Sequence, residues 1–284
     1  MNALDYTVLL VTLLGIAAYG TWRTRGRSNL RTYLTGAGTT GWFTIGVSVM
    51  ATQASATTFL STPGQGYQDG LGFVQNYFGA PLALIVIAIF FLPIFRGLNV
   101  YTAYEFLGRR FDKKTRLLGT ALFLLQRGIG AGLTIYAPAI VLSTVFGWSL
   151  HLTIVASGIV VTIYTVSGGS AAVSLTQKYQ FAVIAAGMMA AFFVLLTKLP
   201  AGLSLGDAFT VAGGFNKLKA VDPSPSLVPR YTLWSGLIGG LFLQLSYFGA
   251  DQSQVQRYLG GASLRESRLG LMFNAIFKIP MQYC

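Results

Sequence analysis

Residues 42–60 form an uncharged stretch that is long enough to cross a bilayer, yet its centre is polar. The middle reads SVMATQASATT at residues 48–58. Small hydroxyl and amide side chains compete with a helix for its backbone hydrogen bonds. In hydrocarbon they need a protein partner, a water-filled cavity or a ligand. The stretch therefore indicates a pathway or a binding site for something polar inside a membrane.

The composition of the whole chain favours a membrane protein. Only 10% of its 284 residues are charged and 53% are apolar, whereas soluble domains have about 25% charged residues. The single cysteine excludes an intrachain disulfide. Apolar runs of spanning length lie at about residues 6–22, 42–61, 73–95, 117–146, 150–166, 179–197 and 232–250, and an eighth begins near Leu269. The eighth is unfinished at Cys284, so we expect a fragment of a longer protein.

The basic residues predict the orientation, because cytoplasmic loops of membrane proteins carry an excess of lysine and arginine. With the N-terminus outside, the outer loops hold only Lys198, Lys217, Lys219 and Arg230. The cytoplasmic segments then hold Arg23, Arg25, Arg27, Arg31, Arg96, Arg109, Arg110, Lys113, Lys114, Arg116, Lys178, Arg257, Arg265 and Arg268. We therefore predict an external N-terminus. The long outer loop at 200–231 is broken by prolines, with a short surface helix expected from Leu205 to Val211.

Three hydroxyl residues of the second run fall on one helical face. Ser48, Thr52 and Ser55 are spaced i, i+4, i+7. If the helix breaks near its middle, unpaired backbone carbonyls become ligands for a small hard cation. The alternative is that each hydroxyl bonds back to its own helix. We favour back-bonding for any single residue and a site for the cluster taken together with Gln53.

A second polar face lies in the run at 232–250. Gln244, Tyr247 and Asp251 are spaced i, i+3, i+7, and a tyrosine between an amide and a carboxylate suits the wall or gate of a cavity. Asp251 lies near the cytoplasmic end, six residues before Arg257. Either an interfacial ion pair or a role in ion coupling fits it.

Two cations, Arg127 and Lys278, fall inside apolar runs. A cation at mid-helix costs about 2.5–3.5 kcal/mol, so each should face the protein interior and have a partner. They either attract an anionic substrate or are held structurally. Gly128, Gly130 and Gly132 follow Arg127, and we expect them to allow close helix packing.

Several motifs, taken in order, resemble the sodium/solute symporter family. They are FLPIF at 91–95, YTAYEF at 101–106, RF at 110–111, YTVSGGSAAV at 164–173 and QSQVQR at 252–257. The last motif and YAP at 136–138 are most similar to the iodide, multivitamin and monocarboxylate branch. The resemblance runs from the first apolar run to the end of the chain.

The resemblance implies an all-α membrane protein with the leucine-transporter-like inverted-repeat fold and an extra N-terminal helix. Only the first repeat, about 42–197, and the start of the second, about 232–284, are expected in this single transmembrane domain. The second run is then a discontinuous helix in which the carbonyls of Ala51 and Ala54 bind sodium, the only metal expected. The hydroxyl half of that sodium site is expected on a helix beyond the present sequence, without which sodium would hardly bind as in intact relatives.

The resemblance also implies a substrate site above Tyr247, which covers the substrate on its inner side as a gate. We expect substrate contacts from Thr58, Gln75, Tyr77, Gln244 and Lys278. Sugar-transporting members have a glutamine at position 58, a glutamate at 77 and an aspartate at 177, where this chain has Thr58, Tyr77 and Gln177. These departures disfavour a sugar, and the membrane cations Arg127 and Lys278 favour an organic anion such as a monocarboxylate.

The expected function is sodium-coupled import of a small organic solute by a multi-pass protein of the cell membrane. Its partners are then sodium, the solute and lipid, with no nucleic acid and no organic cofactor. An alternative is the membrane sensor module of a signalling protein with the same fold. An enzyme is disfavoured, because the sequence places no acid–base pair or metal-ligand cluster at a common depth.

Overall fold

The computed structural model describes residues 3–24, 38–100, 102–226 and 229–283, and these residues are mostly helical. Within them there is no strand beyond an isolated bridge between Thr40 and Gly261. The helices are α1 (Ala3–Thr24), α2 (Trp42–Gln53), α3 (Ala56–Asp69), α4 (Gly79–Val86), α5 (Leu92–Gly97), α6 (Ala103–Arg110), α7 (Lys113–Phe146), α8 (Leu150–Thr197), α9 (Leu205–Gly214), α10 (Gly240–Gly249), α11 (Gln252–Leu259) and α12 (Leu264–Tyr283). The expectations on Arg25, Arg27, Arg31, Tyr101 and Cys284 lie outside the described residues.

The second apolar run is a broken helix, as the sequence predicts. Helix α2 ends at Gln53, and α3 begins at Ala56. Ala54 leaves the helical region with φ −85° and ψ 70°, and Ser55 is extended at φ −81° and ψ 161°. The break therefore falls among small polar residues, which weaken a helix by competing for its backbone hydrogen bonds.

The third run is one helical rod from Leu71 to Gly97. It begins as a 3-10 helix over Leu71–Tyr77 and passes through a π-helical turn at Ile87–Phe91 between α4 and α5. Its buried face lies at the centre of the hydrophobic core together with α2, α10, α11 and α12. The members of that core include Ile45, Val49, Leu84, Ile87, Leu92, Phe248, Val255, Tyr258 and Leu271.

The fifth and sixth runs, predicted as separate spans, lie on one continuous helical stretch of the backbone. Helix α8 is continuous from Leu150 to Thr197. The segment between the two runs has no proline, so the backbone hydrogen-bond ladder is not forced to stop there. If it were straight, 48 helical residues would extend roughly 72 Å, more than twice the hydrocarbon thickness of a bilayer.

The surface helix expected in the loop at 200–231 is present as α9, with a capping box at its start. The Ser204 hydroxyl accepts from the Asp207 N–H at 3.2 Å, and the Asp207 carboxylate accepts from the Ser204 N–H at 2.8 Å. The Ser204 hydroxyl, and then its backbone N–H, hold the pKa of the Asp207 carboxyl below its ordinary value. Both orphan groups of the first turn are thereby satisfied.

The run at 232–250 is helical from 233 to 249 and ends at a second break in the chain. A π-helical turn at Ser235–Gly239 leads into α10, and α10 gives way to α11 at Ala250 and Asp251. Asp251 caps α11 by accepting from the Ser253 N–H at 2.9 Å. Two broken helices, α2–α3 and α10–α11, thus contribute to the same core.

Glycines allow a close crossing between the rod at 71–97 and the start of α10. A Cβ added at Gly79 would lie 2.0 Å from the Leu241 nitrogen, and one at Gly236 would lie 1.9 Å from the Gln75 carbonyl oxygen. Small residues at such crossings let backbones meet inside membranes. By contrast, Gly128, Gly130 and Gly132 have no such neighbour within 4 Å, so the packing that we expected at these three is wrong for the described part of the chain.

Three helical stretches among the described residues are long and apolar enough to cross a membrane. They are Leu71–Gly97, Lys113–Phe146 and Tyr179–Thr197, and shorter apolar helices lie at Ala3–Thr12 and Leu150–Ile163. The predicted run at 42–61 is not among them, because the break at Ala54 and Ser55 divides it into two helices, and the run at 232–250 is not among them either.

We expect Gly79→Ala to destabilise the protein, because its Cβ would meet backbone rather than a flexible side chain. Overpacking of this kind costs about 1–3 kcal/mol, which should lower the thermal unfolding midpoint of the protein purified in detergent. The matched control is Gly128→Ala, where the added Cβ meets open space. Equal midpoints for the two variants would contradict the close crossing.

Candidate functional site

The break between α2 and α3 gathers backbone polar groups at a half-buried position. The Ala54 N–H is shared between the carbonyls of Met50 and Ala51, each at 3.2 Å. A helix ends with carbonyls that lack intrahelical partners and carry partial negative charge. Ala51 and Ala54 lie at this end, where a cation is favoured.

Ser55 and Thr58 stabilise the other side of the break. The Ser55 hydroxyl accepts from the Thr58 N–H at 3.1 Å and lies 3.0 Å from the Thr58 hydroxyl. The Thr58 hydroxyl in turn donates to the Gln53 carbonyl at 3.2 Å. Thr58, expected to contact substrate, is therefore one of the groups that holds the two half-helices together.

A polar cluster below the break joins α2, α8 and α11. The Ser48 hydroxyl donates to Gln177 Oε1 at 2.8 Å, and the Gln177 amide donates to the Thr52 hydroxyl at 3.2 Å. The Arg257 guanidinium donates to the Ser48 hydroxyl at 2.7 Å and also to Gln177 Oε1. The Thr52 hydroxyl bonds back to the Ser48 carbonyl at 2.7 Å, whereas Ser48 reaches across to another helix.

The Lys278 side chain is buried, with 2% of its surface exposed. Its ammonium lies 4.6 Å from the centre of the Tyr77 ring, a cation–π contact. One turn earlier on α12, the buried Asn274 accepts from the Gln53 amide at 3.5 Å. The structure thus brings Lys278 and Tyr77 together, with the end of α2 nearby.

The Arg127 guanidinium is paired with the Asp251 carboxylate. It also donates to the Ser253 hydroxyl at 2.9 Å and lies 5.8 Å from the centre of the Tyr247 ring. This pairing favours the structural interpretation of Arg127. The partner of Asp251 is Arg127 rather than the nearby Arg257, which extends to α2 and α8.

Gln75 bonds to the loop at 200–231 in this structure. Its amide nitrogen donates to the carbonyls of Gly72 at 3.1 Å and Tyr231 at 3.3 Å. Its oxygen accepts from the Asp222 N–H at 2.9 Å. The side chain is buried, so its polar atoms hold backbone together and are not turned to a cavity.

Gln244 is buried on α10, the helix that also carries Tyr247. Tyr247 is half-buried, and its hydroxyl accepts from the Gln254 amide at 2.8 Å. The expected residues therefore form two groups: Tyr77 with Lys278, and Tyr247 with Arg127 and Asp251.

Sequence reasoning missed three residues of these clusters. Arg257 was counted only as a cytoplasmic charge, and Gln254 and Asn274 were not singled out. A signal existed for Asn274, because Asn274, Lys278 and Gln282 are spaced i, i+4, i+8 on α12 and all three are buried. For Arg257 no sequence pattern indicates that α8 lies within its reach.

Broken helices and a buried cation among apolar helices are typical of helical membrane transporters. The family model for the sodium:solute symporter family matches residues 33–278, so the chain belongs to this family. The predicted membership is confirmed.

Among similar proteins, the human sodium/iodide cotransporter is 31% identical over 97% of this chain, and the human sodium-coupled monocarboxylate transporter 1 is 34% identical over 96%. The rabbit (Oryctolagus cuniculus) sodium-dependent multivitamin transporter is 35% identical over 97%. The chain spans 43% to 45% of the length of these relatives. All three are transporters, as predicted, and none is an enzyme; they belong to the branch that the motifs indicated.

A solved Na+-coupled sialic acid symporter, in a substrate-bound outward-open state, superposes with a TM-score of 0.90 at 27% identity. The match covers 99% of this chain and 59% of that one. The predicted inverted-repeat fold, present in part, is thereby confirmed.

We expect Ser55→Ala to destabilise the break, because it removes the cap of α3. Losing such a cap costs about 1 kcal/mol, measurable as a lower thermal unfolding midpoint in detergent. Ser55→Asn is the matched control, since asparagine also caps helices well. Equal unfolding midpoints for Ser55→Ala and Ser55→Asn would show that the cap does not stabilise the break.

Proposed function

We propose that the protein is a sodium-coupled symporter that imports a small organic anion across the cell membrane, with its N-terminus outside. The observation that carries the proposal is the break at Ala54 and Ser55, in a family whose members couple solute movement to sodium. In this proposal the first repeat covers about 42–197, and the second begins at about 232.

Sodium binding is assigned to the carbonyl groups of Ala51 and Ala54. Oxygen ligands suit a small hard cation, and the end of α2 supplies them with a favourable dipole. A bound sodium ion would fix the break in one geometry and so favour one conformation of the transporter. The ion can shift that equilibrium only by its difference in affinity for the two states.

The substrate is assigned to the space bordered by Lys278, Tyr77, Thr58 and Gln244, above Tyr247 as the inner gate. We leave Gln75 out of this set, because its polar atoms hold the outer loop. No ion pair involves Lys278 among the described residues. A buried ammonium that rests on an aromatic ring can still receive a carboxylate, which supports an anionic substrate. Two of the relatives are named for anions, iodide and monocarboxylate.

Sodium coupling is tested with the protein expressed from its full reading frame and reconstituted into vesicles. We expect an inward sodium gradient to drive accumulation of one or more labelled monocarboxylates, and potassium in its place to abolish it. Accumulation that is indifferent to sodium would refute coupling. Uptake of a neutral solute with no uptake of any carboxylate would refute the anion assignment.

The role of Lys278 is tested with Lys278→Met and Lys278→Arg. A hydrogen bond to a charged group contributes about 1.5–3 kcal/mol, so methionine should raise the KM for a carboxylate by about 10- to 100-fold. Arginine keeps the charge and should retain much of the affinity. Thermal unfolding of both variants shows whether either has lost its fold. An unchanged KM in a folded methionine variant would remove Lys278 from the substrate site.

A further inference from the structure

We propose that Arg127 and Gln254 are positioning residues that hold Tyr247 in its closed orientation. The proposal rests on the gate role of Tyr247 given above. Nothing in the family membership assigns a role to either residue, and neither belongs to the substrate set.

The first observation is that Tyr247 is held by residues of two other elements. Its hydroxyl accepts from the Gln254 amide at 2.8 Å, and its ring lies 5.8 Å from the Arg127 guanidinium carbon. Tyr247 is on the last turns of α10, Gln254 is in the first turn of α11, and Arg127 is on α7. The hydrogen bond therefore bridges the break between α10 and α11.

The second observation is that Arg127 is fixed by the residues of that break. Asp251 binds the guanidinium and caps α11, and Ser253 contacts both of them: its hydroxyl accepts from Arg127 and donates to Asp251 at 2.7 Å. A cation inside a membrane protein needs a partner, and the partner of Arg127 is the Asp251 carboxylate at the break between α10 and α11. Any rotation of α10 relative to α11 must change this set of contacts together.

The third observation is an imbalance in Gln254. The side chain is fully buried, and its oxygen has no hydrogen-bond partner among the described residues. An unsatisfied buried acceptor is unfavourable in this conformation. The amide nitrogen of Gln254 thus bonds to Tyr247, while the amide oxygen has no partner among the described residues. This arrangement suits a contact that is broken and re-formed during a transport cycle rather than a permanent structural contact.

The test compares Tyr247→Phe, Gln254→Met and the double variant in the full-length protein. A neutral hydrogen bond contributes about 0.5–1.5 kcal/mol, so each single variant should shift the gate equilibrium about two- to twelvefold. Hydrogen–deuterium exchange of backbone amides at 245–256 should rise by that factor, and substrate efflux without sodium should rise with it. The double variant should do no more than either single variant.

Arg127→Met should raise exchange at 245–256 as well, and Arg127→Lys should raise it less, because lysine keeps the charge beside Asp251. Arg116→Met, an exposed arginine on the same helix, is the matched control and should leave exchange unchanged. Additive effects of Tyr247→Phe and Gln254→Met would overturn the proposal. So would variants with a lower unfolding midpoint and unaltered exchange and efflux, which is the pattern of a structural staple. The exchange measurement needs no transport, so a failure of sodium coupling would leave it readable.

Discussion

The constraint on which this structure depends is that a backbone inside a membrane must have its polar groups satisfied. A continuous helix does so by itself, and a break does not. At Ala54 and Ser55 the helical hydrogen bonds are interrupted. The hydroxyls of Ser55 and Thr58 and a shared N–H at Ala54 replace them. What these groups leave at the end of α2 is a set of carbonyls in a protected position. The rest of the candidate site is arranged around this position.

Three cations show how the same fold compensates charge in three ways, and of these three only Lys278 is buried. Arg127 has a carboxylate, Lys278 has an aromatic ring, and Arg257 has an amide and a hydroxyl on two other helices. A full ion pair compensates charge most completely, whereas a ring compensates it least. This ranking of the three partners predicts that Lys278 is the cation best able to accept a new anionic partner.

The sequence predicted the parts of this structure that depend on local chemistry. The small polar residues marked the place where α2–α3 could break, and the family resemblance implied that it does; α9 follows from the short segment between turns. Contacts between helices that are far apart in the sequence could not be predicted from local patterns. Asp251 has Arg257 six residues away, yet pairs with Arg127, 124 positions away in the chain. Gln75 looked available to a substrate, but the loop residues that occupy its polar atoms, Asp222 and Tyr231, lie 147 and 156 positions later in the chain. The continuity of α8 was missed because hydropathy alone does not show where a helix turns.

The glycine crossing has a mechanical consequence. With Gly79 against Leu241 and Gly236 against Gln75, the main chains of two helices touch without side chains between them, and no soft layer is left to absorb sliding. We therefore expect the helical stretch at 71–97 and the stretch around the start of α10 to move together as one rigid body. Any rocking of these two stretches would be passed to the break at Ala250 and Asp251, where α10 gives way to α11.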